Sequence, residues 1–185
     1  MRPTTLLAVS AVLALSACGS NASTAPITTA PTAAAVTTAS KASNPVPAAG
    51  PTAGLPAISG GATAKPVIEI PKTDPPKELV VTVLSEGTGP EVTAGKQLTA
   101  HYVGQVWATG KQFDASWDRG DPATFPIGSG GLIPAWDKGL VGKKIGSRVL
   151  IVAPPASGYG SQGNARAGIT GTDTLIFVVD LVKVG

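Results

Sequence analysis

The chain has 185 residues, of which 43% are hydrophobic and 14% are charged, and its formal net charge is +3. From Leu79 onward nine Lys and Arg residues face eight Asp and Glu residues, so no basic surface is available to follow a nucleic-acid backbone. A single cysteine excludes an intramolecular disulfide. We therefore expect one domain of ordinary size that rests on its hydrophobic core, and no nucleic-acid partner.

The N-terminus has the pattern of an export signal. Arg2 supplies a positive charge, and residues 6–15 form an apolar stretch that is too short to span a bilayer as a helix. The run Leu15-Ser16-Ala17-Cys18 then resembles the lipobox of bacterial lipoproteins, in which cleavage leaves the cysteine as a lipid-modified N-terminus. This interpretation predicts a signal peptide over residues 1–17 and an extracytoplasmic protein that Cys18 anchors to the bacterial cell membrane. The alternative is an ordinary secretory signal that is cut nearby and leaves a free thiol.

Residues 18–77 are dominated by Ala, Thr, Pro, Ser and Gly and show no sustained period of a strand or a helix. Such a segment cannot bury enough apolar surface to offset the entropy that it would lose on ordering. We interpret it as a disordered tether, which would reach about 40 Å on average if it behaves as a coil. Its role would be to hold the following domain clear of the membrane.

Past Lys77, segments typical of strands appear between turn signals. Residues 98–106 alternate so that Tyr102 points to the core and His101 points away from it. We expect the lone histidine to be a half-exposed strand residue rather than a catalytic base, because no partner lies at a recognisable spacing from it. Further strands are predicted over residues 79–84, 149–152 and 175–184, and the last has the continuous apolar run of a strand that is central or buried on both faces.

One helix is predicted between these strands. It follows the turn Gly128-Ser129-Gly130-Gly131, Pro134 suits its first turn, and apolar residues recur every three or four positions over residues 133–140. The turn lacks the Lys-Ser/Thr of a phosphate-binding loop, so its role is to connect a strand to the helix. Strands with a single helix, and no alternation of strands and helices, predict an α+β domain with an antiparallel sheet over residues 78–185.

The few aromatic residues are the most informative feature of the second half of the chain. Three Trp, two Tyr and three Phe make eight in all, and five of them stand in short patterns that aim them inward. Such a cluster indicates one aromatic-lined pocket rather than an ordinary core, and pockets of this kind are default binding sites. The five residues are Tyr102, Phe113, Trp136, Tyr159 and Phe177.

Several short motifs together resemble the FKBP-type peptidyl-prolyl isomerases, in the order and at the spacing of that family. The motifs are His101-Tyr102-Val103-Gly104, Gly110-Lys111-Gln112-Phe113-Asp114-Ala115-Ser116, Phe125-Pro126-Ile127-Gly128, Leu132-Ile133-Pro134-Ala135-Trp136-Asp137-Lys138-Gly139-Leu140, Ser157-Gly158-Tyr159-Gly160 and Thr174-Leu175-Ile176-Phe177. The resemblance implies an antiparallel sheet of five to six strands that curves around one short helix. It also implies an apolar cavity between helix and sheet that binds proline, without a cofactor or a metal.

Residue by residue, the resemblance implies a floor for this cavity formed by Trp136 and a carboxylate supplied by Asp114. The alternative for Asp114 is that it caps a turn or pairs with Arg119, and the two roles are compatible. The hydroxyl of Tyr159 and the amide of Ile133 would each bind a substrate carbonyl, and Ile169 would belong to a flap. The residues implied to be catalytic are Tyr102, Phe113, Asp114, Trp136, Tyr159 and Phe177, and those implied to bind substrate are Phe125, Leu132, Ile133 and Ile169.

The resemblance thus implies a peptidyl-prolyl cis-trans isomerase that acts on Pro-containing segments of exported proteins, with macrolide inhibitors as a further class of ligand. We expect it to be a monomer. The chain departs from the family two residues before Phe125, where an aromatic residue is usual and this chain has Ala123. The alternative function is a non-catalytic binding module of the same fold, which would grip Pro-containing segments without accelerating their isomerisation.

Overall fold

The computed structural model describes residues 54–61 and 63–185. The predicted signal peptide, Cys18 and the tether as far as residue 53 lie outside these residues. Within the described ranges, no helix has both the length and the apolar character needed to cross a membrane.

The described part of the chain forms eight strands, one α-helix and four short 3-10 helices. The strands are β1 (Ala57–Ser59), β2 (Val67–Glu69), β3 (Val80–Ser85), β4 (Gln97–Val106), β5 (Gln112–Ala115), β6 (Ala123–Pro126), β7 (Arg148–Ala153) and β8 (Leu175–Val184). The helix α1 spans Pro134–Leu140, and the first 3-10 helix, Ser116–Arg119, directly follows β5. Strands β1 and β2 pair with each other, and the other six strands form one sheet.

The six-stranded sheet is antiparallel throughout, with the order β3-β7-β8-β4-β5 and with β6 also paired to β4. β5 and β6 share one edge of β4, because β6 pairs with its first half and β5 with its second half. β8 lies between β7 and β4, so its apolar run is central, as predicted. A curved antiparallel sheet with one short helix confirms the predicted fold class.

Helix α1 lies against one face of the sheet, which we call the inner face. Pro134 occupies its first turn, where the missing N–H removes no helical hydrogen bond. A Cβ on Gly139 would lie only 3.1 Å from Val81 Cγ2 and 3.2 Å from Ile151 Cδ1. Glycine at this position therefore lets the helix approach the sheet closely.

Two hydrophobic clusters cover the two faces of the sheet. The inner cluster, between the sheet and α1, contains Trp136, Leu140 and Phe177. The cluster on the opposite, outer face contains Leu150 and Val178. Because both faces are covered, residues 175–181 of β8 are all buried although their side chains alternate between the faces.

The predicted alternation of β4 is confirmed. Tyr102 is buried in the inner cluster. His101 is half-buried, stacks on Trp117 with 4.1 Å between ring centroids, and has its Nδ1 at 3.1 Å from Ser116 Oγ. The histidine therefore occupies the predicted position, away from the core side of the strand.

The predicted tether boundary at residue 77 is wrong for residues 54–61 and 63–77, which we call the strap. The strap contains β1 and β2, and Ile68 of β2 is buried in the outer cluster with Val103 and Leu150. The prediction failed because each strand is only three residues long, and a two-stranded hairpin is marginal by itself. The strap needs the sheet to complete its core.

A buried ion pair on the outer face holds the strap. Arg148 Nε donates to Asp180 Oδ1 at 2.5 Å, and Arg148 Nη2 donates to Asp180 Oδ2 at 2.9 Å. The same guanidinium donates to the strap, from Nη1 to the carbonyl of Gly60 and from Nη2 to that of Ala64, each at 2.9 Å. A charge that would be costly to bury alone is thus surrounded by acceptors.

We expect removal of one partner of this pair to destabilise the fold strongly. Asp180→Ala leaves the Arg148 guanidinium buried without its counter-charge, and should lower the free energy of unfolding by about 3–5 kcal/mol. The matched control is Asp118→Ala, because the ion pair of Asp118 with Lys65 is exposed and should matter little. Urea unfolding of the three proteins measures both changes. Equal losses in the two variants would contradict this expectation.

Candidate functional site

An open hollow of about 460 Å³ lies between α1 and the inner face of the sheet. Its lining comes from β4, β5, β6, β8, the turn before α1, α1 itself and the segment after β7. Nine of the ten predicted site residues line it, namely Tyr102, Phe113, Asp114, Phe125, Leu132, Ile133, Trp136, Tyr159 and Phe177. Ile169 is the one that does not.

The indole of Trp136 forms the floor of the hollow and is only 4% exposed. Three rings from three strands meet it nearly at right angles, with centroid distances of 5.4 Å to Tyr102, 5.0 Å to Phe125 and 5.7 Å to Phe177. Edge-to-face contacts of this kind are the favoured geometry of aromatic pairs. The indole N–H is buried and has no hydrogen-bond partner within the described residues.

Phe113 and Phe177 form a wall of the hollow from either side of β4. Their rings meet at 82° with 5.6 Å between centroids. Phe177 is 3% exposed and is held on its other side by Trp136. Phe113 is only half-buried, so this wall has one fixed ring and one ring at the boundary with solvent.

A polar corner adjoins this wall and consists of Tyr102, Asp114 and Arg119. The Tyr102 hydroxyl donates a hydrogen bond to Asp114 Oδ2. Arg119 donates from Nη1 to Asp114 Oδ1 at 2.6 Å and from Nη2 to the Tyr102 hydroxyl at 2.9 Å. Both carboxylate oxygens are therefore engaged, and the pairing of Asp114 with Arg119 is compatible with a place at the hollow.

The pKa values of the corner follow from these contacts. Burial, followed by the hydrogen bond to Asp114, raises the pKa of Tyr102 to about 12. Burial also raises the pKa of Asp114, but the hydrogen bonds from Tyr102 and Arg119 outweigh it, so that this pKa lies below its usual value. The hydrogen bond to Asp114 raises the pKa of Arg119. None of the three groups exchanges a proton near neutral pH, so the corner suits binding and orientation rather than acid–base chemistry.

The rim of the hollow is formed by Leu132 and Ile133, which follow the glycine-rich turn. Asp137 of α1 pins this turn, because its Oδ1 accepts from the Gly128 amide at 2.7 Å and its Oδ2 from the Gly130 amide at 2.9 Å. None of the hydrogen bonds among the described residues uses the amide N–H of Ile133. That donor is therefore available at the edge of the hollow.

Tyr159 stands at the mouth of the hollow, where it is 37% exposed. Its hydroxyl takes part in none of the side-chain hydrogen bonds within residues 54–61 and 63–185. Ile169 is not among the residues that line the hollow. Two backbone hydrogen bonds with Asn164, of 2.8 and 3.0 Å, close a turn, and the buried side chain of Ile169 packs in the inner cluster. Its predicted role in substrate binding stays a prediction.

Two residues at the site were absent from the predicted set, Arg119 and Asp137. Each acts through the fold: Arg119 engages Asp114 and Tyr102, and Asp137 pins the turn before the rim. The sequence signal for Asp137 was an acidic residue in the first turn of a helix that follows a glycine-rich turn. For Arg119 the signal was weaker, a basic residue five positions after the carboxylate that it engages.

The raised pKa of Tyr102 can be measured directly, because the chain has only two tyrosines. In Tyr159→Phe the remaining phenol should ionise at about 12 rather than at 10.0. In the unfolded chain this tyrosine has its ordinary pKa of 10.0, so the unfolded chain loses the proton at a lower pH than the folded chain. The free energy of unfolding should therefore fall as the pH rises from 10.0 to about 12. Absorbance titration measures the pKa, and comparison with Tyr102→Phe isolates the effect on stability. Ionisation of Tyr102 at its ordinary pKa would contradict the assigned contacts.

The amino-acid sequence is similar to those of curated bacterial proteins. The chain is 42% identical over 120 residues to an FK506-binding protein of Streptomyces anulatus, a match that covers 65% of this chain and 97% of the relative. It is 40% identical over 119 residues to a probable FK506-binding protein of Corynebacterium glutamicum, with 64% and 98% covered. The chain thus aligns with nearly the whole length of both relatives.

Solved structures and family models agree with these relatives. The fold is similar to the crystal structure of AtFKBP13, with a TM-score of 0.54 and 32% identity over 60% of this chain and 96% of that one. A family model described as FKBP-type peptidyl-prolyl cis-trans isomerase matches residues 89–182, which include α1 and every strand from β4 to β7. The chain therefore belongs to the FKBP-type peptidyl-prolyl cis-trans isomerase family.

Proposed function

We propose that this chain accelerates the cis-trans isomerisation of Xaa-Pro bonds by binding the proline in the hollow above Trp136. The proposal rests on one observation. The buried indole of Trp136, which packs against three nearly perpendicular rings, lies below an open hollow of about 460 Å³. A proline ring is apolar and has little side-chain entropy to lose on burial. It therefore suits a rigid aromatic hollow.

The chemistry needs no nucleophile and no proton transfer. Rotation about an Xaa-Pro bond meets a barrier of about 18–20 kcal/mol and takes tens of seconds or longer without a catalyst. The planar amide is more dipolar than the twisted one, so transfer from water to an apolar hollow disfavours the planar ground state relative to the transition state. Each difference of about 1.4 kcal/mol changes the rate by about tenfold.

Two hydrogen-bond donors at the rim support a further role in substrate orientation. The amide of Ile133 and the hydroxyl of Tyr159 have no partner among the described residues, and both residues line the hollow. We assign each to a substrate carbonyl. A hydrogen bond that fits only the twisted amide stabilises the transition state more than the ground state, and only such a difference raises the rate.

For the ligands of the hollow, we propose Pro-containing segments of exported proteins and, as inhibitors, macrolides. The names of the two bacterial relatives, which are FK506-binding proteins, support the second class. Ala123 does not line the hollow, so β6 contributes a single aromatic wall through Phe125. With one aromatic residue fewer than is usual in the family at this position, we expect the hollow to accept substrates with bulky flanking residues.

We expect the floor to matter for activity and an equally buried indole elsewhere not to. Trp136→Leu removes the floor and should lower kcat/KM for a short Xaa-Pro peptide on the order of a hundredfold. Trp107→Leu is the matched control, because Trp107 is 6% exposed and packs in the outer cluster, away from the hollow. Each change should lower the free energy of unfolding by less than a full Trp→Ala truncation, which costs about 3–5 kcal/mol.

A cis-trans assay with thermal unfolding of both variants tests the proposal. Full activity in Trp136→Leu would place the active site outside the hollow. Equal isomerisation rates with and without the wild-type protein, together with measurable peptide binding, would instead support the non-catalytic binding module.

We also propose that the protein acts outside the cytoplasm and is held on the bacterial membrane through Cys18. The apolar N-terminal stretch and the lipobox-like run support this proposal. Stable anchoring takes two acyl chains, because a single chain gives only marginal binding. We expect mass spectrometry of the mature N-terminus to show acylation, and Cys18→Ala to release the protein from the membrane fraction. An unmodified, fully soluble wild type would refute the anchor without affecting the enzymatic proposal.

A further inference from the structure

We propose that Gly104 is a positioning residue for the hollow. Its lack of a side chain lets the Phe113 ring lie over the backbone of β4 and thereby sets the width of the site. The inference rests on the proposed function, since the width matters through the proline that the hollow would bind.

Gly104 is a buried residue of β4 and pairs with Phe177 of β8 on one side and Asp114 of β5 on the other. Tyr102 and Val106, two residues before and after it, both belong to the inner cluster. Because side chains alternate along a strand, a side chain at position 104 would point to the same inner face. It would enter the wall of the hollow.

The space that such a side chain needs is already occupied. A Cβ placed on Gly104 would lie 2.6 Å from Phe113 Cζ, 2.7 Å from Phe113 Cε2 and 3.2 Å from Phe177 Cε1. Contacts below 3.0 Å are essentially never seen for real Cβ atoms, so an added methyl group must displace a ring. Phe177 is held between Phe113 and Trp136, whereas Phe113 is only half-buried. The Phe113 ring is therefore the one that moves.

The backbone gives no other reason for a glycine here. The φ angle of Gly104 lies outside the left-handed region that the glycines of the turns adopt, so any residue could take its conformation. A glycine inside a strand weakens it and typically marks a position where something approaches the backbone closely. At position 104 the approaching groups are the two rings of the wall.

Displacement of Phe113 changes the site itself, because its ring lines the hollow. A misplacement of about 1 Å in a catalytic site can lower the rate on the order of a hundredfold. We therefore expect Gly104→Ala to act through the position of the ring and not through general loss of stability.

The test uses the wild type, Gly104→Ala, Phe113→Leu and the double variant, with a Leu-Pro peptide as substrate. Gly104→Ala should lower kcat/KM on the order of ten- to a hundredfold. In the Phe113→Leu background the same change should have a much smaller effect, because the two contacts below 3.0 Å are with ring atoms that leucine lacks and only the 3.2 Å contact with Phe177 Cε1 remains. Gly61→Ala is the control for glycine replacement, since a Cβ there meets nothing within 4 Å. It should leave kcat/KM unchanged.

Unchanged kcat/KM in Gly104→Ala, or the same fold-loss in both backgrounds, overturns the proposal. If Gly104→Ala does not fold while the double variant folds with the activity of Phe113→Leu, the ring is again identified as the obstacle and the proposal stands. If neither variant folds, the methyl group acts through something other than the ring, and the proposal fails.

Calorimetric binding of the same peptide separates this inference from the proposed function. A wild type that binds the peptide without accelerating its isomerisation refutes the enzymatic proposal, and the four proteins then test Gly104 through the same pattern in Kd. A wild type that neither isomerises nor binds the peptide overturns both proposals.

Discussion

The structure depends on a mismatch between one short helix and the long strands that it covers. Helix α1 has seven residues and is about 10 Å long, whereas β4 and β8 have ten residues each and extend about 33 Å. The helix cannot cover the inner face, and a hollow stays open where its cover ends. Aromatic rings line this gap, and their perpendicular contacts with Trp136, each worth about 0.5–1.5 kcal/mol beyond burial, brace it against collapse.

The outer face of the sheet is covered differently from the inner face. There the strap covers the apolar residues, and Ile68 completes a cluster that the sheet strands begin. Arg148 connects the two layers, because it pairs with Asp180 in the sheet and donates to two strap carbonyls. Because its outer face is packed, the sheet can support an open hollow on its inner face. The strap therefore belongs to the folded domain and not to the tether.

The chemistry of the site follows from the absence of a reactive group in its described lining. Its polar corner contains one carboxylate and one guanidinium, which bind each other and the Tyr102 hydroxyl. Since each partner stabilises the charge state that the other needs, the corner keeps its shape over a wide pH range. In the proposed function the lining acts by environment and orientation alone, which is sufficient for a rotation that makes and breaks no σ bond.

Local patterns in the sequence by themselves determined the strands β3, β4, β7 and β8, the start of α1 at Pro134 and the inward direction of Tyr102, because a period of 2 or 3.6 is visible within one element. The resemblance in the sequence to a known family supplied nine of the twelve residues that line the hollow. Only the tertiary structure decided the place of the strap, the hydrogen bond from Arg119 to Tyr102, the contacts of Asp137 and the burial of Ile169. Three-residue strands carry too short a pattern to recognise. The cluster that Ile68 shares with Leu150 joins residues far apart in the chain, so it exists only once the sheet has formed.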